Sequence, residues 1–241
     1  MAKRLKFDAG HGPFSHAFEE IVNEKPRDVP WHHEDASCAL VRRINERVGL
    51  LSDDEVERVE AMIRGVVLEE GRAFLYRIVH NALNSVDVDK FDYLARDCHA
   101  TGVEAGCDVG RLMACSRLEG GEICFRETEY HNLLRVFHSR LYMHRQVYSH
   151  QVAKGAELMI ASALRAAEPA LGLFAAAETG DAAAFVASTD DVLGEIRRRA
   201  ARGEEAFLAA AAILARIDTR DLYRPVAEIR MPATSETPHV R

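Results

Sequence analysis

The chain has 241 residues, of which 48% are hydrophobic and 29% charged, so it can bury a sizeable core and does not resemble a disordered chain. Its formal net charge of −7 argues against a whole-chain attraction to nucleic acid or anionic lipid. The sequence contains no apolar run of about 18 residues and no recognisable secretory signal. We therefore expect neither a membrane span nor export.

The number and spacing of the cysteines indicate whether the protein works in a reducing or an oxidising compartment of the cell. The five cysteines are odd in number and form no CxxC motif. This pattern predicts free thiols in a reducing, intracellular setting, in the nucleus or the cytoplasm, and no cysteine-based zinc site.

The first half of the chain is predicted to be mainly helical. Ser52 and Glu55 form a capping box, and apolar residues follow it at helical spacing. The next apolar helical face is predicted to consist of Phe74, Leu75, Ile78 and Val79. Two short strands, 112–118 and 122–127, are then predicted around a turn at Gly120 and Gly121.

The sequence pattern of the second half of the chain predicts longer helices. Residues 130–165 form one helix, or two with a bend near Gly155, and Pro169 is expected to end it. Residues 180–217 are Ala-rich and helical, with an interruption near Gly203, and 231–241 read as a disordered tail. The predicted fold is therefore mainly α with one small β-hairpin, as a single domain over 1–230 whose residues 180–230 form a C-terminal helical extension.

Three stretches carry residues capable of chemistry. In 8–16, two glycines and a proline place His11 on a tight turn, and Ser15 is expected to cap the helix that carries His16. Glu19 follows one turn later, where its carboxylate can orient the His16 imidazole for acid–base work. His32 and His33 form the second stretch, and because adjacent side chains point in different directions, at most one of them is expected to reach a shared site.

The third stretch is predicted to be a helix with an acidic row of side chains. A cationic row with the same spacing lies further along the chain. Asp89, Tyr93 and Asp97 share one helical face at i, i+4 and i+8. Arg140, His144 and Tyr148 repeat this spacing on the long helix and suit phosphate and sugar contacts. From periodicity alone, solvated helix faces are the favoured explanation of both rows.

Four motifs, taken together, resemble the HD-domain deoxynucleoside triphosphate (dNTP) triphosphohydrolases. They are DAGHGPFSH at 8–16, WHHEDAS at 31–37, SVDVDKFDYLARDCH at 85–99 and FHSRLYMHRQVYSH at 137–150. The closest likeness is to the animal members that combine a sterile alpha motif with an HD domain. It covers 8–230 and includes a later segment, IDTRDLY at 217–223.

The resemblance implies an HD-domain helical fold and hydrolysis of a dNTP to a deoxynucleoside and triphosphate, in a dGTPase-like reaction. His16 is implied as the proton donor to the leaving 5′-oxygen, with Glu19 and His33 beside it. The implied substrate-binding residues are His11, Lys90, Tyr93, Asp97, Arg140, His144 and Tyr148. Asp97 is expected to accept from the 3′-hydroxyl, and Tyr148 to lie next to the sugar.

The resemblance also implies a divalent metal, which is Fe, Zn, Mn or Mg in the family, with Asp8 and Asp89 as ligands. These two carboxylates are expected to converge. The family's HD histidine is replaced here by Phe7, and its upstream metal histidine has no counterpart, which leads us to expect an N-terminally truncated product. Two carboxylates can hold Mg²⁺ loosely.

Regulation is implied as well, through GTP or dNTP activators that drive homo-oligomer formation. The matching positions are Arg111, Arg126, Asn132, Arg220 and Arg224, whereas Thr128 and Gln151 stand where the family has lysines. The alternative to an enzyme is a catalytically impaired module that binds nucleotides or forms oligomers, favoured by Phe7. A cyclic-nucleotide phosphodiesterase is a weaker alternative, because the Tyr and carboxylate row suits a deoxyribose.

Overall fold

The computed structural model describes residues 9–24, 28–104, 106–179 and 185–227. Within these ranges the protein is mainly α-helical with one small antiparallel hairpin, which confirms the predicted fold class. The helices are α1 (His16–Asn23), α2 (His33–Val48), α3 (Asp53–Arg64), α4 (Ala73–Val79), α5 (Val88–Thr101), α6 (Val109–Ala114), α7 (Tyr130–Met143), α8 (Gln151–Leu171), α9 (Leu173–Thr179), α10 (Val192–Ala201) and α11 (Glu205–Asp218). The strands are β1 (Ser116–Glu119) and β2 (Glu122–Phe125).

One hydrophobic cluster joins the N-terminal helix to the C-terminal helices. Phe18 and Ile21 of α1 are buried in it together with Leu164 of α8, Ile196 of α10 and Phe207 of α11. The burial of large apolar side chains is the main driving force for such packing. Helix α1, which carries His16 and Glu19, is therefore positioned by residues far along the chain.

A second hydrophobic cluster holds the middle of the chain. Phe91 and Leu94 of α5 pack there with Leu112 of α6 and with Val136 and Met143 of α7. These contacts fix α5 beside the end of α7. The two helices that carry the predicted acidic and cationic rows are thus packed against each other.

Several helix and strand ends were predicted correctly from residues that are close together in the sequence. The Ser52 hydroxyl accepts a hydrogen bond from the Glu55 amide, and the Glu55 carboxylate accepts one from the Ser52 amide, so the predicted capping box is formed. Gly120 and Gly121 both have positive φ, 59° and 84°, which is the conformation of a two-residue type I′ hairpin turn. The interruption near Gly203 lies between α10 and α11.

Five boundary predictions were wrong, one of them because residues 187–191 interrupt the predicted helix 180–217. The bend in the long helix lies at 144–150 and not near Gly155, and α8 continues through Pro169 to Leu171, where Gly172 ends it with a positive φ of 68°. Residues 112–114, predicted as strand, belong to α6 because Asp108 caps that helix. Strand β2 ends at Phe125, two residues earlier than predicted.

The predicted apolar face of α4 was also wrong in part. The buried side chains of this helix are Ala73 and Tyr76, whereas Ile78 is exposed.

Among the described residues no helix has both the length and the apolar character needed to cross a membrane. The predicted disordered tail, 231–241, lies outside the described residues.

Candidate functional site

The loop before α1 is pressed closely onto the start of α2. The amide of Gly10 donates a hydrogen bond to the Ser37 hydroxyl at 2.9 Å. A Cβ on Gly10 would lie 2.3 Å from the carbonyl oxygen of His33, so only glycine fits there. This approach brings His11 over His33, and their rings stack with centroids 3.9 Å apart.

His16 completes a group of three imidazoles. Its ring lies 5.0 Å from that of His11 and 5.8 Å from that of His33, edge-on to both. His16 is exposed, whereas His11 and His33 are partly buried. The three histidines, which come from two separate motifs, are thus brought together, with His16 the most accessible to a ligand.

Glu19 anchors this group from α1. Its Oε2 lies 2.9 Å from Nδ1 of His33, and its Oε1 lies 3.1 Å from Nδ1 of His32. Burial acts to raise the pKa of Glu19, but the hydrogen bonds with His33 and His32 outweigh it, so its pKa lies below the usual value. The carboxylate therefore stays ionised and fixes two imidazoles.

Two predictions about this region need correction. The Ser15 side chain makes no capping bond, because the residue has a positive φ of 51° that turns its hydroxyl away from the helix amides. The expectation that at most one of His32 and His33 reaches a shared site was wrong, since both contact Glu19. His32 precedes α2 in extended backbone, and this change of direction aims both rings at one carboxylate.

The segment before α2 is held by a reciprocal amide pair. The Asn23 side chain donates to the Trp31 carbonyl at 2.8 Å, and the Trp31 amide donates to the Asn23 side chain at 2.7 Å. The Trp31 ring also packs edge-on against Phe18, with centroids 5.7 Å apart. These contacts tie the His32–His33 pair to the end of α1.

The donor atoms of this region are of the kinds that bind divalent metals. One ligand atom from each of His11, His16, Glu19 and His33 lies within 4.8 Å of the others, and we call these four residues the His–Glu cluster. Three imidazoles and one carboxylate suit Zn²⁺, Fe²⁺ or Mn²⁺ better than Mg²⁺. Asp89 is not a member of this cluster, and Asp8 lies outside the described residues.

A second polar group is built on α5. Asp87 caps the helix, accepts from the Asn81 amide at 3.0 Å and pairs with the Lys90 ammonium at 2.9 Å. Its side chain is fully buried. The Lys90 ammonium lies 3.9 Å from the Asp89 carboxylate, so it faces two acids at the start of α5. Asp87 was not predicted as a site residue, although its position before a helical pattern is a capping signal.

Tyr93, on the same helix, lies among these charged groups. Burial is the main cause that raises its pKa. The carboxylates of Asp89, Asp87 and Asp97 raise the pKa further, and the nearby Arg140 guanidinium opposes them. The predicted acidic and cationic rows are therefore electrostatic neighbours.

The cationic row is not one straight helical face. Residues His144–Tyr148 form a π turn, with the Ser149 amide bonded to the His144 carbonyl at 2.8 Å. The turn sets the His144 and Tyr148 rings edge-on, 5.2 Å between centroids. Burial, with a smaller effect from Arg140, lowers the pKa of His144.

The Tyr148 hydroxyl donates to Oδ2 of Asp97 at 2.6 Å and so links the π turn to α5. Burial and this hydrogen bond both raise the pKa of Tyr148. The phenol therefore keeps its proton and remains a hydrogen-bond donor. Two residues predicted to touch a sugar from separate motifs are in direct contact.

The predicted activator positions fall into two places. Arg111 and Asn132 both hydrogen-bond to the buried Glu129, with Arg111 Nε at 2.8 Å and Asn132 Nδ2 at 3.3 Å. Arg126 lies nearby and, with Thr128, lines a surface depression of about 470 Å³. Arg220 and Arg224 are exposed on the segment after α11.

The comparisons with known proteins agree with this organisation. The family model described as "HD associated region" matches residues 107–239, more than half of the chain, and the chain therefore belongs to this family. It is 39% identical over 93% of its length to the "Deoxynucleoside triphosphate triphosphohydrolase SAMHD1 homolog" of Dictyostelium discoideum. It is 32% identical over 97% of its length to the protein named "Deoxynucleoside triphosphate triphosphohydrolase SAMHD1" in Gallus gallus.

The human protein of that name is 29% identical over 93% of the chain. In each comparison the chain spans less than half of the relative, 43% of the Dictyostelium discoideum protein and 41% of the human one. These matches confirm the family resemblance stated from the motifs.

Proposed function

We propose that the protein is a metal-dependent dNTP triphosphohydrolase, which hydrolyses a dNTP such as dGTP to the deoxynucleoside and triphosphate. The observation that carries this proposal is the convergence of His11, His16 and His33 with Glu19. The names of the relatives give the reaction. In support of a single HD-type domain over 1–230, α10 and α11 share a hydrophobic cluster with α1.

His16 is the proposed proton donor to the leaving 5′-oxygen. It is the exposed member of the His–Glu cluster, so a substrate can reach it. The Glu19–His33 hydrogen bond holds the neighbouring ring in place. A positioned acid of this kind contributes about 10²- to 10⁴-fold to a rate.

The proposed substrate contacts lie on α5, on α7 and in the π turn. Arg140 and Lys90 are the proposed phosphate ligands, and a triphosphate would have to compete with Asp87 for Lys90. Asp97 is placed to accept from a 3′-hydroxyl, and the bulk of Tyr148 beside it would disfavour a 2′-hydroxyl. His11 and His144 are proposed to line the same substrate.

The proposed cofactor is a divalent metal with Asp8 and Asp89 as carboxylate ligands. The Asp89 side chain is 26% exposed, so a cation can reach it, and the imidazoles of the His–Glu cluster favour Fe, Zn or Mn over Mg. Such an ion would stabilise charge on the phosphate and lower the pKa of a bound water.

The direct test is the release of triphosphate from dGTP by the purified chain in the presence of Mn²⁺, followed by chromatography. We expect deoxyguanosine and triphosphate in equal amounts, and a rate reduced by at least about 100-fold in His16→Ala. His99→Ala, at an exposed histidine near the end of α5, is the matched control and should retain the rate. Binding of dGTP without turnover would instead support a nucleotide-binding or oligomerisation module.

A further inference from the structure

A second set of metal-ligand atoms lies next to the His–Glu cluster. One ligand atom from each of Glu19, His32 and Glu34 lies within 4.8 Å of the other two. Glu19 comes from α1, His32 from the residue before α2, and Glu34 from the first turn of α2. Two elements are therefore needed to assemble the set, and the Asn23–Trp31 amide pair holds them together.

The separation of these atoms matches that of two ligands on one ion. Bonds of about 2.1 Å at angles between octahedral and tetrahedral place neighbouring ligand atoms about 3.0 to 3.4 Å apart. Nδ1 of His32 and Oε1 of Glu19 are 3.1 Å apart. No change in backbone is required for this pair to share a cation.

The charges also favour a cation. One oxygen of Glu19 and one of Glu34 lie within 4.8 Å of each other, and like charges at this distance repel. Their side chains are partly exposed, 17% for Glu19 and 30% for Glu34, with His32 at 38%, so an ion can enter and waters can complete its coordination. The other oxygen of Glu19 stays with His33 at 2.9 Å, which would make this carboxylate a bridge to the His–Glu cluster.

We propose that Glu19, His32 and Glu34 bind a divalent transition-metal ion, at a site additional to the proposed ligands Asp8 and Asp89. One imidazole with two carboxylates suits Zn²⁺ or Mn²⁺, whereas Mg²⁺ prefers oxygen ligands and keeps its waters. The inference concerns metal binding alone and does not require that the chain hydrolyse a dNTP.

The test is a count of bound zinc. The purified chain is stripped with a chelator, dialysed against Zn²⁺ alone, and analysed for zinc by mass spectrometry. We expect His32→Ala and Glu34→Gln each to retain one Zn²⁺ fewer than the parent chain. In competition with a zinc indicator, each should bind at this site at least about tenfold more weakly. Mg²⁺ in large excess should not displace the ion.

Two variants serve as matched controls. His138→Ala changes an exposed histidine of α7, and Glu46→Gln changes an exposed acid of α2, and both should bind zinc as the parent does. Glu34→Gln is nearly isosteric, so it decides the matter even if His32→Ala unfolds, which circular dichroism would detect. Unchanged zinc binding in Glu34→Gln would overturn the proposal and leave His32 as a hydrogen-bond partner of Glu19. The parent chain could fail to hydrolyse dGTP while His32→Ala and Glu34→Gln each still bind one Zn²⁺ fewer. That result would reject the enzymatic proposal and support the metal site.

Discussion

The contact between Tyr148 and Asp97 gives a residue-scale prediction, Tyr148→Phe. The change removes a hydrogen bond to a carboxylate, 2.6 Å long, and leaves the ring in the second hydrophobic cluster. Bonds to charged groups contribute about 1.5 to 3 kcal/mol, and because Asp97 is partly exposed, water can replace the lost donor. We expect the free energy of unfolding to fall by about 1.5 kcal/mol in urea titrations.

Tyr142→Phe is the matched control for that measurement. Tyr142 is 54% exposed on α7, so loss of its hydroxyl should leave the unfolding free energy within about 0.5 kcal/mol of the parent value. An equal effect of the two substitutions would show that the Tyr148–Asp97 bond does not stabilise the π turn.

The motifs contain the members of the His–Glu cluster, but the contacts between them could not be predicted from the sequence. His16, His33 and Glu19 stand in recognisable motifs, whereas the bond that joins Glu19 to His33 spans 14 positions and depends on the loop at Gly10. The role of His32 was missed for the same reason. Glu129 was not predicted, because nothing local in the sequence indicates that it will be buried beneath an arginine.

At the scale of elements, Gly155→Ala tests how the segment after α11 docks on α8. Alanine in a helix interior is more favourable than glycine by about 1 kcal/mol. Here, however, a Cβ would lie 2.8 Å from the backbone carbonyl oxygen of Tyr223, and overpacking of this kind costs about 1 to 3 kcal/mol. We expect a net loss of about 1 kcal/mol, measured by thermal unfolding.

Gly110→Ala supplies the contrast. A Cβ at this position of α6 would lie 3.5 Å from the Asp108 carboxylate, an ordinary contact, so helix propensity alone should act and raise stability by up to about 1 kcal/mol. If Gly155→Ala were also stabilising, the docking of Tyr223 on α8 would not hold in solution.

Element predictions succeeded where the signal was local and failed where packing decided. The capping box and the Gly120–Gly121 turn depend on residues within four positions of each other, and both are formed. The π turn at 144–148 leaves no such mark on the sequence. A proline normally breaks a helix, yet α8 passes through Pro169, and the left-handed Gly172 provides its end.

For the whole molecule, the placement of the proposed catalytic residues depends on distant chain segments. Phe18 of α1 is fully buried against Phe174 and Phe185, with ring centroids 5.6 and 6.1 Å apart. The His–Glu cluster is thus supported by the HD associated region. The mainly α fold class could be predicted from periodicity, but this long-range support could not, because it arises from pairings about 150 residues apart.

Nucleotide-driven assembly is the prediction that belongs to the whole molecule. Arg126 is exposed beside a depression of about 470 Å³, whereas Arg111 is already bound by Glu129, so Arg126 is the cation more available to a triphosphate. We expect GTP and dATP together to raise the sedimentation coefficient. Arg126→Ala should raise the nucleotide concentration required by about tenfold, since one charged hydrogen bond is lost. Arg117→Ala, on the exposed hairpin, should assemble as the parent does. Assembly that does not depend on nucleotide would contradict this prediction. An Arg126→Ala variant that assembles as the parent does would place the activator site elsewhere.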